Sequence, residues 1–101
     1  MSIVRLEILS SLVEALNIES KRDSIILEQE IGEGMTVREI LQRLAVRYER
    51  FGQIVFDVRD QKLNEGVNIF FNGSNLELAD GLATRLGDGD VLTFIAPIVG
   101  G

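Results

Sequence analysis

Few residues in this 101-residue chain have the types and spacing to do chemistry. "GDGD" at 87–90 brings Asp88 and Asp90 close together, but the further spaced oxygen ligands of a calcium loop do not follow. It reads as a turn. "GEG" at 32–34 lacks the spacing and the Lys-Ser/Thr of a phosphate-binding loop. The chain has no histidine and no cysteine, which removes disulfides, thiol nucleophiles, the usual zinc ligands and Ser-His or Cys-His catalysis. What remains is the end of the sequence, "TFIAPIVGG". A run of strand character passes through Pro97 and stops at Gly100-Gly101. Pro97 has no N–H to give to a ladder, so a strand should finish near Ala96. Residues 97–101, fully extended, reach about 16 Å. Glycine has no Cβ and fits a channel too narrow for any side chain. The one group so presented is the α-carboxylate of Gly101, a handle suited to another protein's active site.

Such an arm needs a body to hold it. Residues 3–9, "IVRLEIL", alternate Val4, Leu6 and Ile8 against Arg5 and Glu7, the period of a half-buried strand. "SIILEQEI", 24–31, reads as a second strand, pairing with the first as a hairpin. Between them, residues 10–24 read either as a long loop or as a turn of helix. Thr36 stands three residues before Glu39, a capping box. Val37, Ile40, Leu41, Leu44, Ala45, Tyr48 and Phe51 then form one apolar stripe at helical spacing, with Gly52 as the expected stop. Arg38, Arg43, Arg47 and Arg50 fall largely off the stripe, as a solvated face or a partner contact. Residues 53–66 are ambiguous: "QIVF" fits a short strand or a helical turn, and "DQKLNEG" a loop. "VNIFF", 67–71, reads as a strand closed by Asn72-Gly73, the preferred pair of a tight hairpin. "NLEL", 75–78, is the expected return strand, and "VLTFIA", 91–96, the last one. Between these, "ADGLATRLGDGD" is a turn-rich crossing anchored by Leu82 and Leu86.

This order predicts an α+β fold, a sheet of four to five strands covered on one face by one long helix. Val4, Leu6, Ile8, Ile69, Phe71, Leu92 and Phe94 should lie under the helix. Phe70, Thr93 and Ile95 then fall on the opposite face, where an adjoining apolar group would make a patch for a partner. A net charge of −6 argues against nucleic acid as the main partner. No apolar run approaches the roughly 18 residues of a membrane span, and no secretory signal is visible, so the expected compartment is the cytoplasm.

"LATRLGDGDVLTFIAPIVGG" resembles the C-terminal signature of the MoaD/ThiS family of ubiquitin-like sulfur carriers. "VNIFFNG" resembles the family's penultimate strand and turn, and the helix opened at "MTVREIL" fits the same order of elements. The resemblance covers nearly the whole chain, with residues 10–24 and 53–66 the looser parts. It implies a mixed-sheet β-grasp domain over 1–96 and a tail, 97–101, made of Pro97, Ile98, Val99, Gly100 and Gly101. It implies that the Gly101 carboxylate is adenylated by an ATP-using activating enzyme and converted to a thiocarboxylate. Phe70, Thr93 and Ile95 would be the docking patch. The carrier would bind no cofactor or metal itself, ATP being used by the activating partner. It would be a substrate or small subunit and not an enzyme. Pro97 resembles the small subunit of molybdopterin synthase, with that synthase's large subunit as the implied sulfur acceptor. Related branches deliver sulfur for cysteine or thiamine synthesis, or join to lysines as protein modifiers through the same terminal glycine.

Overall fold

The computed structural model describes residues 2–9, 12 and 24–95. Ser2–Leu9 (β1) and Ser24–Ile31 (β2) pair antiparallel along their whole length, from Ser2 opposite Ile31 to Leu9 opposite Ser24. Their alternation therefore stays in register: Val4, Leu6 and Ile8 are buried, with Ile25 and Leu27 packed beside them. Of residues 10–24, Leu12 is buried and Ser24 opens β2.

Val37–Arg47 (α1) is opened by the capping box expected from sequence. The Thr36 hydroxyl accepts from the Glu39 N–H at 3.3 Å, and Glu39 Oε1 accepts from the Thr36 N–H at 3.2 Å. The start of this helix is tied to the crossing that leads into the last strand. The Val37 N–H donates to the Thr84 carbonyl at 2.9 Å, and the Leu86 N–H to the Met35 carbonyl at 2.8 Å. Val37, Ile40, Leu41 and Leu44 are fully buried.

The stripe is not one helix. Tyr48 adopts an extended conformation (φ −121°, ψ 108°), and a second helix, Glu49–Ile54 (α2), begins after it. Gly52 lies inside α2 and does not stop anything. A Cβ placed on Gly52 would sit 3.5 Å from Ala45 Cβ. Seven residues of continuous helix would separate them by about 10 Å, so α2 folds back on α1. The fold-back sends Phe51 into the core, edge-to-face against Phe94 with ring centroids 6.0 Å apart.

Phe56–Asp57 (β3) and Lys62–Leu63 (β4) form a separate two-stranded ribbon, so a strand stands inside the stretch expected to be loop. Asn68–Phe71 (β5) turns through Asn72 and Gly73, both at positive φ (50° and 88°), into Ser74–Asn75 (β6). The expected return strand at 75–78 is corrected here. Pairing ends at Asn75, whose side chain accepts from the Glu77 N–H at 2.9 Å and opens a 3-10 turn over Leu76–Leu78. This places Leu76 in the core.

Val91–Ile95 (β7) is the middle of the main sheet, whose order is β2-β1-β7-β5-β6. It runs parallel to β1 and antiparallel to β5. The helices cover one face, over the side chains named from sequence: Ile69, Leu92 and Phe94 are buried and Phe71 packs against them. This is a mixed, ubiquitin-like β-grasp sheet of five strands with two helices on it.

Candidate functional site: the uncovered sheet face and the strand that leads to the tail

The residues expected to carry the reaction, Pro97, Ile98, Val99, Gly100 and Gly101, lie outside the described residues. What the structure does show is where they depart. β7 ends at Ile95, hydrogen-bonded into the sheet between β1 and β5, with Leu92 and Phe94 fully buried beneath it. The chain beyond Ile95 therefore follows a strand that is paired on both sides.

Alternation along β7 turns Thr93 and Ile95 to the uncovered face, both half-buried. Thr93 lies directly opposite Phe70, and Ile95 opposite Asn68. Phe70 and Ile95 are thus diagonal neighbours, a separation of about 7–8 Å in an antiparallel pair. The structure brings all three sequence-predicted patch residues together. It also extends them. Across the parallel pairing Thr93 faces Glu7, and across the hairpin Glu7 faces Ile26, which is 57% exposed. A row of Phe70, Thr93, Glu7 and Ile26 crosses four strands. Ile26 was missed from sequence, although the alternation of "SIILEQEI" already placed it opposite to Ile25 and Leu27.

The turn before β7 is fixed by its carboxylates. Asp88 Oδ1 accepts from the Ile3 N–H at 2.8 Å, and Asp90 Oδ2 from the Gly87 N–H at 2.7 Å. Asp90 Oδ1 accepts from the Asn72 side-chain amide at 3.1 Å, while Asn72 Oδ1 accepts from the Val91 N–H at 2.8 Å. "GDGD" is a turn, as expected, and it ties β1, β7 and the β5–β6 hairpin together. Gly89, at φ 85°, has the conformation that lets it close. A depression of about 330 Å³ lies beside it, lined by Ile3, Arg5, Glu28, Asp88, Gly89 and Val91, at the end of β7 remote from the tail. No group of three or more metal-ligating side chains is found among the described residues. Chemically, the face presents Phe70, Ile95 and Ile26 around Thr93 and Glu7.

The model of the ThiS family matches residues 20–101. This chain belongs to the ThiS family. It is 31% identical over 72 residues to small archaeal modifier protein 3 of Haloferax volcanii, covering 70% of this chain and 75% of that one. It is 30% identical over 69 residues to the sulfur carrier protein CysO of Mycobacterium tuberculosis, covering 67% and 74%. Its fold superposes on the solution structure of small archaeal modifier protein 1 from Methanosarcina acetivorans with a TM-score of 0.70 and 27% identity, covering 100% and 98%. The family is one of ubiquitin-like sulfur carriers and modifiers. No helix among the described residues is long and apolar enough to cross a membrane.

Proposed function

We propose that this protein carries sulfur on the carboxyl group of Gly101. A carboxylate is a poor electrophile, so a separate activating enzyme supplies ATP. The Gly101 carboxylate oxygen attacks the α-phosphorus and pyrophosphate leaves. Hydrosulfide released by the sulfur donor then attacks the acyl carbon, AMP departs, the S–H proton is lost to solvent, and a thiocarboxylate remains. The carrier binds no nucleotide in this reading. Residues 1–96 are the domain the enzyme grips through Phe70, Thr93 and Ile95, and residues 97–101 are the arm. Gly100 is the slim neighbour that lets the arm enter.

The observation that carries the reading is the ThiS-family match, which runs through the terminal Gly100-Gly101 pair. The sheet supports it, since the docking row and the strand leading to the arm are one structure. Pro97 supports molybdopterin synthesis as the destination, with the synthase's large subunit as acceptor, in the cytoplasm. The test is to incubate the chain with its activating enzyme, ATP and a sulfur donor and weigh it intact. A gain equal to one oxygen exchanged for sulfur is expected, and none when Gly101 is deleted. An unchanged mass sinks the proposal. The charged chain is then offered to the large subunit, and to cysteine- and thiamine-forming acceptors in parallel. Sulfur consumed only by one of the latter moves the destination there. Phe70→Asp is expected to abolish binding to the activating enzyme by pull-down while keeping a cooperative thermal transition. Loss of the fold instead would remove Phe70 from the docking row.

A second reading is favoured by the similarity to small archaeal modifier protein 3. The same activated carboxyl would then be attacked by a lysine amine, forming an amide. Conjugates of higher mass that vanish with Gly101 deletion would show it.

A further inference from the structure

The helical face opposite the sheet carries a charge pattern that the carrier reading leaves unused. Residues 36–51 hold four arginines and two glutamates, a formal balance of +2, whereas the rest of the chain carries −8 toward the total of −6. Near the end of α1, Arg43 and Arg47 are one turn apart on the exposed side. Like charges at that spacing oppose each other in an isolated helix by about 0.2–0.5 kcal/mol. Between them in sequence stands Val46, 84% exposed. Both guanidiniums have local supports. Arg43 Nη1 donates to the Glu30 carbonyl at 2.6 Å, with Nη2 3.6 Å from Met35 Sδ. The Arg47 guanidinium carbon sits 5.5 Å from the centroid of the Tyr48 ring. The acidic neighbour Glu39 is committed to the cap, accepting from both the N–H and the hydroxyl of Thr36.

From this we infer that Arg43, Val46 and Arg47 form a second docking surface, for a protein segment that presents carboxylates around an apolar side chain. Charge complementarity selects that occupant. Guanidiniums attract carboxylates, and less side-chain entropy is lost on binding when they are already held. Val46 provides an apolar centre that a phosphate backbone would not use, and the −8 of the remaining chain repels a long polyanion. The surface is on the helices and the docking row on the uncovered sheet face, so both can be occupied together. The inference does not depend on what Gly101 carries.

The test uses the full chain and a synthetic amphipathic helix with leucines on one face flanked by glutamates. Amide chemical shifts are followed during titration, alongside a titration with oligouridylate of similar negative charge. Saturable shifts centred on Arg43, Val46 and Arg47 are expected with the peptide, weakening as salt is raised. Arg47→Glu should lower peptide affinity about tenfold or more, the behaviour of a charge at a contact and not of a distant one. Arg47→Gln should give a smaller loss. Arg59→Glu, the same charge change in the β3–β4 ribbon turn, should leave affinity within about twofold. The inference is overturned if peptide shifts miss these residues, if Arg59→Glu weakens binding as much as Arg47→Glu, or if oligouridylate binds the same residues more tightly.

Discussion

Asn72 shows how much one side chain can hold. It is at φ 50°, in the left-handed region, at the first position of the β5–β6 turn. Its amide accepts from the Val91 N–H and donates to Asp90, and its own N–H donates to the Val91 carbonyl at 2.9 Å. Asn72→Ala removes both side-chain bonds and places an unsuited residue at positive φ. The expected loss is roughly 2–3 kcal/mol, summing about 1 kcal/mol for each bond and a similar strain. Asn72→Gly keeps the conformation and should cost less. A urea titration of the two variants checks this, and equal midpoints would show that the backbone conformation contributes nothing. The sequence shows Asn72-Gly73 as a turn, because turn preference is local. It does not show the clamp on Val91, 19 positions away, which exists only once β5 and β7 have paired. The same division applies to Phe70, Thr93 and Ile95. Their common face was legible from alternation, and their adjacency required the register.

The helices carry the lesson at the next scale. The spacing from Val37 to Phe51 names the buried side chains correctly, with Tyr48 and Ala45 packed at the edge of the core. It does not show the break at Tyr48, where no glycine or proline stands. The break follows from tertiary packing, since only a folded-back α2 puts Phe51 against Phe94. Gly52 then has a definite prediction. A methyl group added there would meet Ala45 Cβ at ordinary contact distance, and the φ of Gly52 is not positive. Gly52→Ala should therefore stabilise the protein by about 0.4–1 kcal/mol, read as a raised urea midpoint. Gly52→Leu should cost about 1–3 kcal/mol by wedging the helices apart. If Gly52→Ala destabilises, the α1–α2 packing is tighter than described. The strand β4, and the bounds of β3 and β6, were beyond sequence reading for a simpler reason. Two residues contain no period to detect.

At the scale of the whole molecule, the sheet joins the two ends of the sequence. β1 and β7 are parallel neighbours, Arg5 beside Val91 and Ile8 beside Phe94. Such a contact has high loop-closure cost and is completed only when most of the chain is in place. Native-state hydrogen exchange should therefore find the amides of Leu6 and Leu92 among the slowest, opening only with global unfolding. Those of Lys62 and Leu63, in a ribbon of two residue pairs, should exchange far earlier. Similar rates in both places would mean that the ribbon and the sheet unfold as one unit. The parallel arrangement also has a mechanical meaning. A pull on the chain's two ends drags β1 and β7 lengthwise in opposite directions, so their ladder is loaded in shear and every rung shares the force. Under the proposed carrier function, an enzyme that draws on the glycine end pulls on a strand held in the middle of the sheet. In an optical trap the molecule should resist and then rupture in a single high-force step, with no gradual unzipping from an edge.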